Sequence, residues 1–362
     1  MDHKQIMLHA IDLANNGIGK VNPNPLVGAV IVKNNEIIGE GYHEKYGSLH
    51  AERNALANCR ESPNGATMYV TLEPCCHFGK TPPCTKAIVE SGISKVYIAT
   101  LDPNPLVRGK GIEQLKQNGI EVEVGICEEE SKRQNEVFLH YIQTKMPYVV
   151  LKNAMTMDGK IATVAGKSKW ITGEVARSKV HEDRNRYSGI MVGVGTILAD
   201  DPMLNCRAIG GRNPIRIICD TNLRTPVTSQ IIQTAQEIPT ILATACVDTQ
   251  KHSDYTSLGA QILQVPLKGK SIDLTALMLL LGESKIDSIL LEGGSTLNFS
   301  ALQNKLVNKI QTYLSPKIFG GEVAKTPVGG IGILEVDDCI KLINQTISWL
   351  GDDILIESEV QK

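Results

Sequence analysis

Two short stretches of the sequence hold side chains whose types and spacing suit a metal-assisted hydrolysis. One is His50-Ala51-Glu52; the other runs Glu73-Pro74-Cys75-Cys76-His77-Phe78-Gly79-Lys80-Thr81-Pro82-Pro83-Cys84. A catalytic zinc takes three protein ligands and leaves a fourth position for water, whose pKa it lowers toward neutrality. Displacing an amine from a ring also needs a carboxylate that stays off the metal and carries a proton from water to leaving group. His50, at a helix start, offers a nitrogen ligand, and Glu52 can reach over the metal. Cys75, after a strand and a proline, and Cys84, opening the next helix, offer thiolates, which a helix N-terminus favours. The spacing departs from the P-C-x-x-C arrangement usual in such sites, because eight residues separate Cys75 from Cys84. Cys76 and His77 therefore compete as ligands. The set His50, Cys75, Cys84 holds only if the Pro-Pro-bearing insertion bulges out and returns Cys84 to the metal. An isolated H-x-E triplet is common and buried cysteines are mostly packing residues, so the weight lies in the combination.

The second half has no G-x-G-x-x-G after its first strand, so the standard dinucleotide fingerprint is missing. It has two other glycine-bearing turns, Val192-Gly193-Val194-Gly195-Thr196 running on to Asp200-Asp201-Pro202, and Leu291-Glu292-Gly293-Gly294-Ser295-Thr296-Leu297. Each ends a β run and opens a helix. Free N–H groups there can cradle phosphate, and glycine lets a ligand approach the backbone. Glycine often ends strands for packing reasons alone; two such turns in one half point to a nucleotide.

These side chains need elements to hold them. Residues 2–16 read as an amphipathic helix capped by Asp2. Strands are expected at 26–32, from 37, and at 67–72, 95–100 and 120–124, with helices at 51–58, 85–90, 111–117 and 128–143. After a linker at Thr144-Lys145-Met146-Pro147, strands follow at 148–155, 190–194, 215–219, 240–243, 261–265 and 288–291. Helices fall near 174–187, 274–281 and 296–305, and a β-rich meander runs from Lys309. Alternating strands and helices predict an α/β fold with parallel sheets. The halves do not resemble each other.

The bulk numbers agree. A chain of 362 residues suggests two domains. Its net charge of −2 gives no pull toward nucleic acid or anionic membrane. No apolar run approaches the roughly 18 residues that span a bilayer, and the N-terminus lacks a signal-peptide core. A cytoplasmic protein is expected, with its nine cysteines serving metal, catalysis or packing.

Further segments carry a resemblance: Val21-Asn22-Pro23-Asn24-Pro25-Leu26-Val27-Gly28, Gly41-Tyr42-His43, His50-Ala51-Glu52 and the Glu73-to-Cys84 stretch. They resemble the deaminase domain of the bifunctional riboflavin biosynthesis deaminase-reductase family. In that family the longer C-x8-C spacing is the rule, which implies His50, Cys75 and Cys84 as ligands of one Zn2+ and Glu52 as the catalytic carboxylate. It also places Asn24, His43 and Lys80 in the substrate pocket. Asn24 can read a pyrimidinone edge and Lys80 can meet a phosphate as a point charge. Plain turn chemistry is the simpler account of Asn22 and Asn24.

Lys152, Met157-Asp158-Gly159-Lys160, Ser168-Lys169-Trp170-Ile171, the Gly193-to-Pro202 segment with Leu204 and Arg207, and Glu292-Gly293-Gly294 are similar to the family's NADPH-dependent reductase domain. The resemblance implies a cytidine-deaminase-like α/β/α domain over 1–145 and a dihydrofolate-reductase-like α/β domain over 146–362. It implies NADPH contacts at Ala154, Trp170, Thr196, Asp200, Gly293, Gly294, Ser295, Thr296 and Leu297, and substrate contacts at Lys152, Ser168, Arg184, Leu204, Arg207 and Glu292. Arg184 and Arg207 suit a phosphate clamp, since a planar fork meets phosphate bidentately; a solvated helix face and a loop charge are their plainer readings, and simple core is that of Trp170. The expected partner is a small phosphoribosyl aminopyrimidine, with no nucleic acid and no membrane, in a homo-oligomer. Two rival readings stand beside this one: a nucleoside or tRNA-base deaminase, and a zinc-stabilised nucleotide sensor without catalysis. The first lacks a basic face; the second has no use for Glu52.

Overall fold

The computed structural model describes residues 2–78 and 82–361. The chain divides into two units, Met1–Lys145 and Met146–Lys362.

The first unit contains α1 (His3–Ala14), β1 (Gly28–Lys33), β2 (Glu36–Tyr42), α2 (Ala51–Ala57), β3 (Thr67–Leu72), α3 (Cys84–Glu90), β4 (Lys95–Thr100), α4 (Lys110–Gln117), β5 (Glu121–Val124), α5 (Glu128–Gln134) and α6 (Glu136–Thr144). Among the described residues its sheet has five strands in the order β2-β1-β3-β4-β5. β1 is antiparallel to both neighbours, and β3, β4 and β5 run parallel. Both faces are covered, so the central strands are apolar on both sides. Ala29, Ile31, Met68 and Ile98 pack with Ala55, Ile88 and Leu115 on one face; Val30 and Tyr69 pack with Ile6, Met7 and Ala10 of α1 on the other. α2 lies close on β2 because Gly41 has no side chain: a Cβ there would stand 2.3 Å from the Ala55 nitrogen.

The helix expected over 128–143 is broken. Asn135, 3% exposed, separates α5 from α6 and turns its amide onto Leu26. Its Oδ1 accepts from Leu26 N at 2.8 Å, and its Nδ2 donates to Leu26 O at 2.9 Å.

The second unit contains β6 (Tyr148–Thr156), α7 (Glu174–Arg186), β7 (Gly189–Gly193), α8 (Val194–Asp200), β8 (Ile215–Cys219), α9 (Gln230–Gln233), β9 (Thr240–Thr244), α10 (Thr249–Thr256), β10 (Gln261–Gln264), the small hairpin β11 (Leu267–Lys268) and β12 (Ser271–Ile272), α11 (Leu274–Glu283), β13 (Ser288–Gly293), α12 (Ser295–Gln303), β14 (Val307–Ser315), β15 (Leu342–Leu350) and β16 (Asp353–Val360). Among the described residues, nine strands form one sheet, ordered β10-β9-β8-β7-β13-β6-β14-β16-β15. Neighbours from β10 to β14 are parallel, and β16 and β15 close the sheet as an antiparallel hairpin. The expected terminal meander is therefore corrected. β14 joins the parallel sheet beside β6, and residues 316–341 are irregular apart from a 3₁₀ turn at Val336–Asp338. Gly320, Gly321, Gly330 and Gly332 there take positive φ, which breaks any strand. α10, absent from the sequence expectation, is capped by Asp248, whose carboxylate accepts from Gln250 N and Lys251 N. Among the described residues, no helix is long and apolar enough to cross a membrane.

Candidate active sites

In the first unit, the chain brings His50, Cys75 and Cys84 to one point. His50 is the extended N-cap residue of α2, Cys75 follows β3, and Cys84 is the first residue of α3. His50 Nδ1 lies 3.5 Å from Cys75 Sγ and 3.4 Å from Cys84 Sγ. A tetrahedral zinc with ordinary bond lengths sets its S and N ligands about 3.6 Å apart, so the spacing fits that ion. The ligand atoms all lie within 4.8 Å of one another.

Side-chain and backbone hydrogen bonds hold Cys84 beside Cys75. Arg53 of α2 donates from Nε to Pro82 O (3.2 Å) and from Nη2 to Pro83 O (3.0 Å). Cys84 N donates to Cys75 Sγ at 3.4 Å, and Thr85 N to Cys75 O at 3.2 Å. Hydrogen bonding from Cys84, and secondarily from His50, brings Cys75 down to about 4 against its burial. Cys84, facing that thiolate and buried, is pushed well up, and a bound cation is what would favour both thiolates. Cys76 turns away, its Sγ 3.7 Å from Leu106 O. Lys80 lies outside the described residues.

Glu52, in the first turn of α2, is 3% exposed. Burial, then the charge of Cys75, raises its pKa. It borders a cavity of about 360 Å³ that Asn24, His43, His50, Cys75, His77 and Asp102 also line. Asn24 Nδ2 sits 3.1 Å from His43 Nε2, and His43 Nδ1 lies 3.0 Å from Leu49 O. Burial holds His43 below its ordinary pKa, so it is a neutral hydrogen-bonding group.

Asp102 and Asn104 were missed by sequence reasoning. Burial pushes Asp102 up to about 6. Its turn hangs on Glu73, whose carboxylate accepts from the backbone nitrogens of Asp102, Gly109, Gly111 and Ile112. A trace existed in the sequence: Asp102-Pro103-Asn104-Pro105 repeats the pattern of Asn22-Pro23-Asn24-Pro25, and both stretches contribute to the cavity wall.

In the second unit, the two glycine turns meet because β7 and β13 are adjacent. Thr196 Oγ1 donates to Gly293 O at 3.3 Å. Gly293 and Gly294 take φ of +45° and +97°, and a Cβ on Gly293 would fall 2.2 Å from Asn298 Oδ1. Ser295, Thr296 and Leu297 form the first turn of α12. Ser168 Oγ meets Asp200 Oδ1 at 3.3 Å. Trp170 is not core: it is 61% exposed, with the Arg177 guanidinium 4.7 Å from its ring centre. Leu204 is buried with φ +49°. Arg207 is exposed, and its backbone N–H donates to His181 Nδ1 at 3.2 Å.

Arg184 is not on a solvated face, its side chain being 13% exposed. Its Nε and Nη2 grip Glu292 at 2.8 and 3.0 Å, and Nη1 donates to Asn205 O at 2.9 Å. Lys152 Nζ stands 3.9 Å from the same carboxylate. Burial pushes Glu292 up, but Arg184 and Lys152 outweigh it and hold the carboxyl at about 2. Burial depresses Lys152. Ala154 lies on β6 opposite Tyr313 of β14.

Two family models match the chain. The cytidine and deoxycytidylate deaminase zinc-binding region covers residues 1–100, and the RibD C-terminal domain covers residues 147–356. Riboflavin biosynthesis protein RibD of Actinobacillus pleuropneumoniae is 55% identical over 351 residues, 97% of this chain and 93% of that protein. The solved structure of Acinetobacter baumannii RibD, form 1, aligns with a TM-score of 0.89 at 36% identity, over 99% of each chain. A Thermotoga maritima structure described as a diaminohydroxyphosphoribosylaminopyrimidine deaminase/5-amino-6-(5-phosphoribosylamino)uracil reductase aligns with a TM-score of 0.88 at 40% identity, over 99% of this chain and 98% of that one.

Proposed function

The chain belongs to the RibD family and is a bifunctional deaminase and reductase of riboflavin biosynthesis, and we propose that residues 1–145 carry the deamination and residues 146–362 the reduction. The observation that carries this reading is the His50, Cys75, Cys84 triangle with buried Glu52 beside one cavity.

The substrate of the first step is 2,5-diamino-6-(5-phosphoribosylamino)pyrimidin-4-one, and the product is the corresponding uracil. His50, Cys75 and Cys84 hold one zinc ion, which when bound supplies the Lewis acidity that activates water. Glu52 takes the proton of the water that attacks C2 and delivers it to the departing ammonia. Its raised pKa suits the second half of that task, because a carboxyl that holds its proton can give it to a leaving amine. Asn24 and neutral His43 orient the ring through hydrogen bonds, and Asp102 faces it across the cavity.

The second step converts the ribosyl group to ribityl. NADPH, when bound, supplies the hydride that C1′ receives. Gly293, Gly294 and the first turn of α12 offer backbone N–H groups to its phosphates, with Ala154, Trp170, Thr196 and Asp200 around it. Ser168, Leu204, Arg207 and Glu292 position the substrate. Arg184 acts by holding Glu292. As the C1′–ring oxygen bond opens, the freed electron pair on oxygen takes a proton from the Lys152 ammonium. The small-molecule substrate is the expected partner. The exposed Ile347 and Trp349 of edge strand β15 suit a homo-oligomer, and cysteines outside any disulfide among the described residues suit the cytoplasm.

The test follows ammonia release and NADPH absorbance together after the diaminopyrimidine ribosyl phosphate is supplied to zinc-loaded protein. Ammonia release followed by NADPH oxidation supports both assignments. Ammonia release without NADPH oxidation removes the reductase assignment, and silence in both removes the whole reading.

A further inference from the structure

Next to Lys152 lie two buried ionisable groups, Asp183 and Tyr313, that the reaction as described does not use. Lys152 and Arg184 share a single carboxylate, Glu292, and the Lys152 side chain is only 15% exposed. Two cations and one anion leave a net charge of +1 in a dry place, which is costly unless another anion is near. Asp183, the residue before Arg184 in α7, adds a second buried carboxylate, 2% exposed, and its own ion-pair partner Lys179 is one-third exposed, so solvent screens that cation in part. Its Oδ2 accepts the phenol hydrogen of Tyr313 at 3.2 Å, and its Oδ1 accepts from Lys179 Nζ at 2.8 Å. Tyr313 turns its ring toward Lys152, whose Nζ lies 5.6 Å from the ring centre, within cation–π reach. Strand register explains the meeting: Tyr313 pairs with Ala154 and Gln311 with Lys152 across β14 and β6, so Lys152 and Tyr313 share one sheet face. α7 packs on Tyr313 there.

We propose that Asp183 and Tyr313 are a positioning pair for Lys152: the ring fixes where the ammonium sits, and the Asp183 carboxylate, hydrogen-bonded to the phenol, helps keep it protonated. This rests on the reading of Lys152 as proton donor in the reduction. Burial lowers the pKa of Lys152, Glu292 raises it, Arg184 lowers it and Asp183 raises it. Glu292 faces it from β13, Arg184 and Asp183 from α7, and Tyr313 from β14. The charge of Glu357 on β16 helps raise the pKa of Tyr313, and its Oε1 accepts from Gln311 Nε2 at 3.1 Å. Burial pushes Asp183 itself up, and the Lys179 ammonium opposes that and favours the carboxylate. Without the Asp183 charge, burial and Arg184 are opposed by Glu292 alone, so Lys152 gives up its proton at lower pH.

The experiment is the pH dependence of reduction in the full chain, supplied directly with the aminouracil ribosyl phosphate and NADPH. The alkaline limb of kcat/KM is expected to move to lower pH in Asp183→Asn. It moves by less in Tyr313→Phe, which keeps the ring and loses the hydrogen bond. Asp183→Glu restores part of the limb, and KM for NADPH stays put. Tryptophan emission checks the fold of each variant, since Trp170 and Trp349 both lie in the second unit; should Asp183→Asn not fold, Tyr313→Phe decides. A fall in rate that is uniform with pH, with the limb in place, overturns the proposal and leaves a packing role. Undiminished reduction by Lys152→Met overturns the Lys152 reading, and the pair's role with it, without touching the deaminase.

Discussion

At the scale of single residues, the deamination reading turns on one buried carboxylate, Glu52. His50 and Glu52 are two positions apart on one helix start, so the sequence alone sets them side by side. Replacing Glu52 with Gln is expected to leave zinc bound and to slow deamination by about 10²–10⁴-fold, read by metal analysis beside ammonia release; normal turnover would falsify the assignment. Asp102 and Asp183 were not legible, because strands and helices distant in sequence give them their neighbours. Arg184 shows the same limit: in sequence it stands in a charged run, and only the sheet brings Glu292 to its fork. That pairing has a pH consequence. The Glu292 carboxyl sits at about 2 in the folded protein, below the ordinary value of about 4.3. The stability it contributes is therefore complete above the unfolded value and is lost as pH falls toward 2. Glu292→Gln leaves Arg184 and Lys152 buried without their anion and is expected to cost about 3–5 kcal/mol at neutral pH. Urea titrations followed by tryptophan emission should show that gap narrowing below pH of about 4. A gap independent of pH would mean the loss comes from packing and not from charge.

At the scale of elements, propensity and period located most strands and helices but could not see side chains that replace backbone partners. The pattern from Glu128 to Gln143 reads as one helix, yet Asn135 spends its amide on both backbone groups of Leu26 and splits it. Asn135→Ala would leave a buried donor and acceptor without partners, at about 1–3 kcal/mol, measurable as a lower urea midpoint for the first unit. Asn135→Asp keeps one oxygen acceptor and should recover part of the loss; an alanine variant as stable as wild type would deny the bridge its role. The C-x8-C insertion poses the matching question. Two prolines could not tell, from sequence, whether Cys84 returns to His50, because the tether is the Arg53 side chain reaching Pro82 O and Pro83 O. Arg53→Met should weaken zinc binding by about 10–100-fold, as loss of an outer-shell support does, with the fold of α2 intact. Chelator competition measures it, and unchanged affinity would show that Thr85 and the Cys84 backbone suffice.

At the scale of the whole molecule, each unit has apolar cores of its own. The two clusters around the first sheet draw only on residues before 146, and those around the second only on later ones. The linker Thr144-Lys145-Met146-Pro147 was visible in sequence as a break between two strand–helix series, since each series must bury its own sheet. What stayed hidden was the far edge of the second sheet: residues 316–341 are long and irregular, and the strand that pairs with β14 comes only after them. Units that own their cores can fold apart. A chain of residues 1–145 is therefore expected to bind zinc and release ammonia, and one of residues 146–362 to oxidise NADPH when given the aminouracil ribosyl phosphate directly. Mixing the two should restore the full conversion of the diaminopyrimidine, at a rate set by the slower unit. If either piece unfolds alone while the full chain is stable, then the cores are not self-sufficient, and the division of labour between units is a division of chemistry without a division of folding.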